Sequence, residues 1–293
     1  MKKAISNNLL GFVEHASLTP MVSYRVDRDG HPYVPIGDGG IVLGVHLGDS
    51  VFATDTDHAA AGVTLVHPDP GARLGLTSFA CIGNRASVRS GAATGATGFV
   101  VAKRGEAGRV IVAFDDGVMA ALLPGDQVVV HAVGQGSRPE SLHADIAMLN
   151  LSPGLFDRLP KIVVDGVTVF DVVGELPSKV CGNGIGRPAH QWDVDLAVVK
   201  TSSELGESGM RLGDLFVIRD LDVRHNMGYR RSWVTLGAIG HGGSPLPGHG
   251  PGFVPLLSGP AAALNFRLWG GTTSGDGIAR PAITTAMLEA SGS

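Results

Sequence analysis

Cysteine, aromatic residues, charge and long apolar runs are all scarce in this 293-residue chain. Each shortage closes off a class of protein. Two cysteines, Cys81 and Cys181, are too few for a disulfide framework, which points to a reduced, cytoplasmic setting. Only 10 Phe, 3 Tyr and 3 Trp are present, and Asp+Glu 27 outnumber Lys+Arg 23. Nucleic-acid binding calls for a basic stripe with interleaved aromatics, so no nucleic-acid partner is expected. The longest apolar stretch, Phe253 to Phe266, is broken by Pro255 and Pro260. It falls short of the ~20 residues of a spanning helix, so no membrane partner is expected. After the basic Met1-Lys2-Lys3, the run Leu9–Val13 is shorter than the ~7–15-residue core of a secretion signal. The chain also lacks H-E-x-x-H and G-x-x-x-x-G-K-[ST], and no G-x-G-x-x-G leads into a helical pattern, which argues against nucleotide binding.

Glycine is abundant, at 43 of 293 residues, about twice the usual ~7%. With 44% apolar residues the chain should fold, and the glycines fall between short β-branched runs in the manner of a strand-rich protein. Strands are predicted over Ile41–Leu47, Gly62–His67, Phe99–Lys103, Arg109–Phe114, Gln127–Val133, Lys161–Val173, Leu196–Lys200, Leu215–Ile218 and Trp233–Ile239. A Gly-Asp element recurs at Gly48-Asp49, Gly125-Asp126 and Gly213-Asp214. In each copy glycine can take a positive φ and aspartate can close a turn that launches a strand. Short helices are predicted over Asp116–Leu123, Leu142–Leu149 and Pro153–Leu159, the last capped by Ser152. The expected fold is mainly β with short helices. A barrel- or sandwich-like Gly-rich β domain over 1–140 precedes a smaller α+β domain over 141–293.

Candidate chemistry collects in two places. Asp55-Thr56-Asp57-His58 sets carboxylates beside an imidazole, a combination suited to a divalent metal or to acid/base work. In the second half Asp220-Leu221-Asp222 follows a strand, where alternation would put both carboxylates on one face. His225 lies just beyond. Two further imidazoles stand between glycines, in Gly240-His241-Gly242 and Gly248-His249-Gly250. Bare backbone on both sides lets a metal or substrate approach closely. Asp222, His225, His241 and His249 supply enough donors for a catalytic zinc site, which takes three protein ligands and keeps one position open. Cys81 in Ala80-Cys81-Ile82-Gly83-Asn84 and Cys181 in Cys181-Gly182-Asn183-Gly184 suggest an alternative, a cofactor-independent two-cysteine racemase or epimerase with low-pKa thiols. Asp38-Gly39-Gly40 and the Gly-rich Ser90–Gly98 could cradle an anion.

Taken as an ordered set, several segments resemble the prokaryotic domain-of-unknown-function family 4438. They are Asp38-Gly39-Gly40-Ile41, Gly48-Asp49, Asp57-His58 with Gly62-Val63, Ala80-Cys81-Ile82-Gly83-Asn84, Gly134-Gln135-Gly136, Leu212-Gly213-Asp214 and Gly248-His249-Gly250-Pro251-Gly252. The resemblance runs from about residue 30 to 260. It implies a β-rich N-terminal domain and a C-terminal one, and it carries no established activity. The family's Met-Gly-Ser-Gly is replaced here by Cys181-Gly182-Asn183-Gly184, which counts against Cys181 as a shared catalytic group. A fainter similarity, in the Gly-Asp and Asp-His elements, points to metal-dependent acetamidase/formamidase-type enzymes.

The leading expectation is a metal-dependent hydrolase acting on the C–N bond of a small linear or cyclic amide, with zinc favoured. Asp222, His225, His241 and His249 are expected as ligands. Asp57, His58, Asp220 and Cys81 are the candidate catalytic groups, a carboxylate or imidazole outside the coordination shell moving the proton. A small-molecule substrate and self-association into a homo-oligomer are the expected partners. A non-enzymatic ligand-binding module, with the histidines merely lining a pocket, is the remaining alternative.

Overall fold

The computed structural model describes residues 5–16, 24–54, 56–105, 108–202, 209–270 and 279–291. Met1–Lys3 and Asp55 lie outside the described residues. The chain is mostly β, with two domains that share packing. In the first half, six strands close into a barrel in the order Ser6–Val13, Gln127–Val133, Arg85–Val88, Thr97–Arg104, Arg109–Ala113 and Gly62–Val66. The last pairs back onto the first through Phe12 with Val66 and Val13 with Leu65. Closure removes exposed sheet edges. Gln127–Val133 alternates between buried and outward residues, and Val128 and Val130 fill the interior with Leu65, Val100, Val110 and Val112. The predicted strand Ile41–Leu47 is only Ile41–Val42, paired with Gly62–Val63 at the barrel's margin.

The Gly-Asp element performs one local task three times. Gly48, Gly125 and Gly213 all take positive φ. In each copy the Asp accepts a backbone N–H three residues back: Asp49 from His46 at 2.8 Å, Asp126 from Leu123 at 2.9 Å and Asp214 from Arg211 at 2.7 Å. The first and third copies also bond to each other, Gly48 N–H to Leu212 O and Leu212 N–H to Asp49 O, which ties the two halves together.

In the second half, the 14-residue strand Gly228–His241 runs between Leu215–Asp222 and Gly252–Pro260, antiparallel to both. Its first five residues are largely exposed and its last nine are buried. It therefore begins at the surface and ends in the seam between the halves, where a Cβ on Gly240 would lie 2.6 Å from Ala102 Cβ of the barrel. Pro255 sits at a register shift, where the ladder does not require its missing N–H. Leu215, Val217, Val234, Leu236 and Val254 of this sheet share one core with Ile82, Val101 and Ile111 of the barrel.

Three further local expectations give way. Lys161–Val173 is a hairpin, Lys161–Val164 with Val167–Val172, turning at Asp165 and Gly166, both at positive φ. Leu142–Leu149 forms no helix; successive turns lead instead to the short strand Ala147–Met148, captured by Gly252–Pro260. The predicted strand Leu196–Lys200 does not form; the strand here is the two-residue Val194–Asp195, followed by a single bridge from Leu196 to Cys181. The helix Pro70–Phe79 was hidden by Asp69-Pro70-Gly71, which reads as a turn; Asp69 is in fact its N-cap, accepting from Ala72 N.

Candidate metal centre

Four chain segments deliver buried imidazoles and carboxylates to the seam. His58 stands in the loop after residue 56 at φ 56, and its N–H bonds to Gly243 O at 3.0 Å. His241 closes the strand Gly228–His241, fixed by Gly242 N–H to Ala59 O at 2.7 Å. His249 lies in the loop before Gly252. Asp193 and Asp195 flank Val194 on the short strand paired with Gly252 and Phe253.

The donor atoms are close. His249 Nδ1 lies 3.3 Å from His58 Nε2 and 2.8 Å from Asp195 Oδ2, and His58 Nε2 is 3.8 Å from the same oxygen. On the other side of that carboxylate, Oδ1 is 3.4 Å from His241 Nε2, which is itself 2.7 Å from Asp193 Oδ2. On His58 and His241 the second ring nitrogen faces a neighbouring oxygen. His58 Nδ1 lies 2.6 Å from Asp57 Oδ1, and His241 Nδ1 faces Gly242 O at 2.9 Å. Such outer contacts fix which imidazole nitrogen points at a metal and raise its basicity. These residues fit a metal site by donor chemistry and by the orientation of the His58 and His241 rings.

Behind the imidazoles runs a chain of paired charges. Asp57 Oδ2 accepts from Arg25 at 2.7 Å and from the Tyr33 hydroxyl at 2.9 Å. Asp38 is held by Arg104 at 2.6 Å and Arg109 at 3.0 Å, and Arg109 also grips Glu14. Asp38, Asp57 and His58 form a donor set of their own, but these arginines already neutralise its carboxylates. Asp38-Gly39-Gly40 thus holds guanidinium groups rather than an anion. Burial alone would raise Asp195, but its hydrogen bonds to His241, His249 and His58 hold it well below the ordinary carboxylate range. Burial likewise works against a charged His241, yet the hydrogen bonds it donates to Asp193 and Asp195 raise it to about 9.

Glycine makes room for this packing. A Cβ on Gly252 would land on His241 Nε2 and lie 2.6 Å from Asp193 Oδ2. Cys181-Gly182-Asn183 serves as a clamp: Gly182 N–H bonds to Asp195 O, Asn183 N–H to Gly248 O and Asp195 N–H to Asn183 O. It thereby holds both the Asp195 strand and the His249 loop.

Asp57, His58, His241 and His249, which the sequence offers as two separate clusters, come together in the fold. Asp220, Asp222 and His225 stand apart from them. Asp220 takes φ 58 at a register shift, so it and Asp222 do not share a strand face, and its carboxylate accepts Ser232 N–H. Asp222 is committed to Arg224 at 2.9 Å and Arg230 at 3.2 Å, and His225 is exposed beside it. This tip lies at the Gly228 end of the long strand and His241 at the other, roughly 40 Å apart along the strand. Cys81 is sealed in the core, its N–H bonded to Asn84 Oδ1 at 2.7 Å. Asp193 and Asp195 escaped notice because no histidine or glycine flanks them in sequence; the signal available was an Asp-x-Asp opening onto the apolar run Leu196–Val199.

Family models match two contiguous parts of the chain: the domain of unknown function DUF4438, N-terminal, over residues 24–157, and DUF4438, C-terminal, over residues 158–270. The chain belongs to the DUF4438 family. The metal-type cluster draws on both family domains, His58 from the first and Asp193, Asp195, His241 and His249 from the second. The crystal structure of TM1086 is similar at 30% sequence identity and a TM-score of 0.86, covering 92% of this chain and 94% of that one. No curated protein matches the chain. Among the described residues no helix is long and apolar enough to cross a membrane.

Proposed function

We propose that this DUF4438 protein is a metal-dependent hydrolase that cleaves the C–N bond of a small amide, with zinc as its ion. The observation that carries the proposal is the meeting of His58 Nε2, His249 Nδ1 and Asp195 Oδ2 at separations of 3.3, 2.8 and 3.8 Å. Ligands on bonds of 2.0–2.1 Å to a tetrahedral ion stand about 3.3 Å apart, and mixed imidazole and carboxylate donors suit zinc. Asp57 keeps the Nδ1 side of His58 engaged, so that Nε2 faces the ion. Arg25 and Tyr33 in turn hold Asp57 in place. A bound ion polarises a carbonyl and lowers the pKa of water to near neutrality.

Access favours one direction. His58 and His241 side chains are 1% exposed, whereas His249 is 21% exposed, so a substrate approaches over His249. The two-thiol alternative has the wrong electrostatics: burial pushes Cys81 up to about 11 and Cys181 up to about 12, whereas proton-transferring thiols need a lowered pKa.

The test combines elemental analysis of purified protein, melting with and without a chelator, and amine or ammonia release from a panel of linear and cyclic amides. Stoichiometric metal, a melting temperature lowered by chelation and metal-dependent release are expected. Protein without metal whose melting is indifferent to chelator overturns the proposal.

A further inference from the structure

The donors of the seam divide into two sets that share one residue. His58, Asp195 and His249 form the first, and Asp193, Asp195 and His241 form the second. The two sets use different oxygens of the shared carboxylate. Oδ2 faces His249 at 2.8 Å and His58 at 3.8 Å, while Oδ1 faces His241 at 3.4 Å. We propose that the centre is dinuclear, with two divalent cations bridged by the Asp195 carboxylate, one held by His58 and His249 and the other by His241 and Asp193. This rests on the metal-dependent assignment above and extends it.

Three observations carry the second position. First, His241 brings its Nε2 inward by a fixed orientation, because its Nδ1 is occupied by Gly242 O at 2.9 Å in a wholly buried site. Second, only glycine at position 252 lets His241 Nε2 and Asp193 Oδ2 stand together here, because a Cβ would collide with the ring nitrogen and lie 2.6 Å from the carboxylate oxygen. Third, Asp193 is positioned independently of the imidazole: its Oδ1 accepts Gly105 N–H at 3.2 Å, which leaves Oδ2 aimed at His241. A carboxylate offering one oxygen to each of two cations holds them at the ~3.5–4 Å separation used by two-metal hydrolytic sites. The His58 and His241 rings pack edge to face, with centroids 5.0 Å apart and planes inclined at 75°, so the two donor sets adjoin. In such a site one cation can orient the amide oxygen while both act on the attacking water.

The decisive measurement is a Zn²⁺ titration of chelator-stripped full-length protein, read by calorimetry and by native mass spectrometry. Two equivalents per chain are expected, and Mn²⁺ in place of Zn²⁺ should give the exchange-coupled paramagnetic resonance spectrum of a closely spaced pair. Asp193→Asn should retain one equivalent and lose the coupled spectrum. Melting curves of the variant show whether it is folded, and the wild-type stoichiometry decides the question without it. One equivalent at saturation, with an uncoupled Mn²⁺ spectrum, overturns the dinuclear centre and leaves the hydrolase proposal standing. No bound equivalent overturns both.

Discussion

Two Asp-x-Asp triplets occur at strands of the same sheet, Asp193-Val194-Asp195 and Asp220-Leu221-Asp222, yet only the first meets imidazoles. Around Asp195 the backbone is extended, paired with Gly252 and Phe253, and both carboxylates turn into the buried seam. At Asp220 the backbone swings to φ 58 and the register slips, so one carboxylate closes a turn and the other meets surface arginines. Residue type and spacing are the same in both. What differs is whether the strand stays regular and which end of the molecule it reaches.

Abolishing the bridging carboxylate should separate the two triplets most sharply. Asp195→Asn is expected to reduce bound metal and amide hydrolysis to background, because it removes a shared anionic ligand and leaves three imidazoles facing one another. Elemental analysis and turnover check this. Near-normal metal content in a folded Asp195→Asn protein would show that the seam is not a metal centre.

The next contrast is steric. Gly252→Ala drives a methyl into His241 and Asp193, and overpacking of this kind costs about 1–3 kcal/mol. At the other triplet, a Cβ on Gly228 meets only Asn226 O at 3.9 Å, so Gly228→Ala should stay within about 0.5 kcal/mol of wild type. Denaturant melts of both variants test the pair, and equal costs would contradict the tight packing around His241.

The segment leading into Asp193 is also pinned differently. Lys103, wholly buried in the barrel strand Thr97–Arg104, donates to Thr77 O at 2.6 Å and His190 O at 2.9 Å, whereas the Asp222 tip is pinned by surface arginines. Lys103→Met leaves two carbonyls without a donor and should cost about 1–3 kcal/mol. Burial pushes the Lys103 ammonium down from 10.5 to about 8. Between those pH values the native protein has shed a proton that the unfolded chain keeps, so wild-type stability should rise with pH relative to Lys103→Met. A difference that stays flat or falls across that window would show that burial does not push the Lys103 ammonium down.

The sequence disclosed the barrel strands well because β-branched runs and Gly-Asp starts are local signals. Gln127–Val133 was read to the residue. It also marked His58, His241 and His249, since their Asp or Gly neighbours are unusual wherever they fold. Asp193 and Asp195 were illegible for the complementary reason: their role depends on Gly252, Gly182 and the barrel, all distant in sequence. Asp220 and Asp222 looked favourable only because strand alternation was carried through a residue that adopts positive φ. His58 shows the same limit from the other side, for nothing local tells that Asp57 supports it through Arg25 and Tyr33. Asp57→Asn should therefore weaken metal binding about 10–100-fold without abolishing it, as outer-sphere partners do. A Zn²⁺ titration of the variant gives the ratio.

The smallest expected effect completes the contrast. Asp222 is ionised and paired with Arg224 and Arg230, whose side chains are 30% and 52% exposed. Exposed ion pairs contribute only about 0–1 kcal/mol, and salt screens them. Asp222→Asn keeps the shape and much of the hydrogen bonding, so its cost should be about 0.5 kcal/mol or less and should shrink in high salt. Metal content and turnover should match wild type, because the tip lies at the far end of the Gly228–His241 strand from the seam. If Asp222→Asn instead lowered metal occupancy, the long strand would be transmitting changes at its tip to His241, and the two triplets would be coupled rather than merely alike.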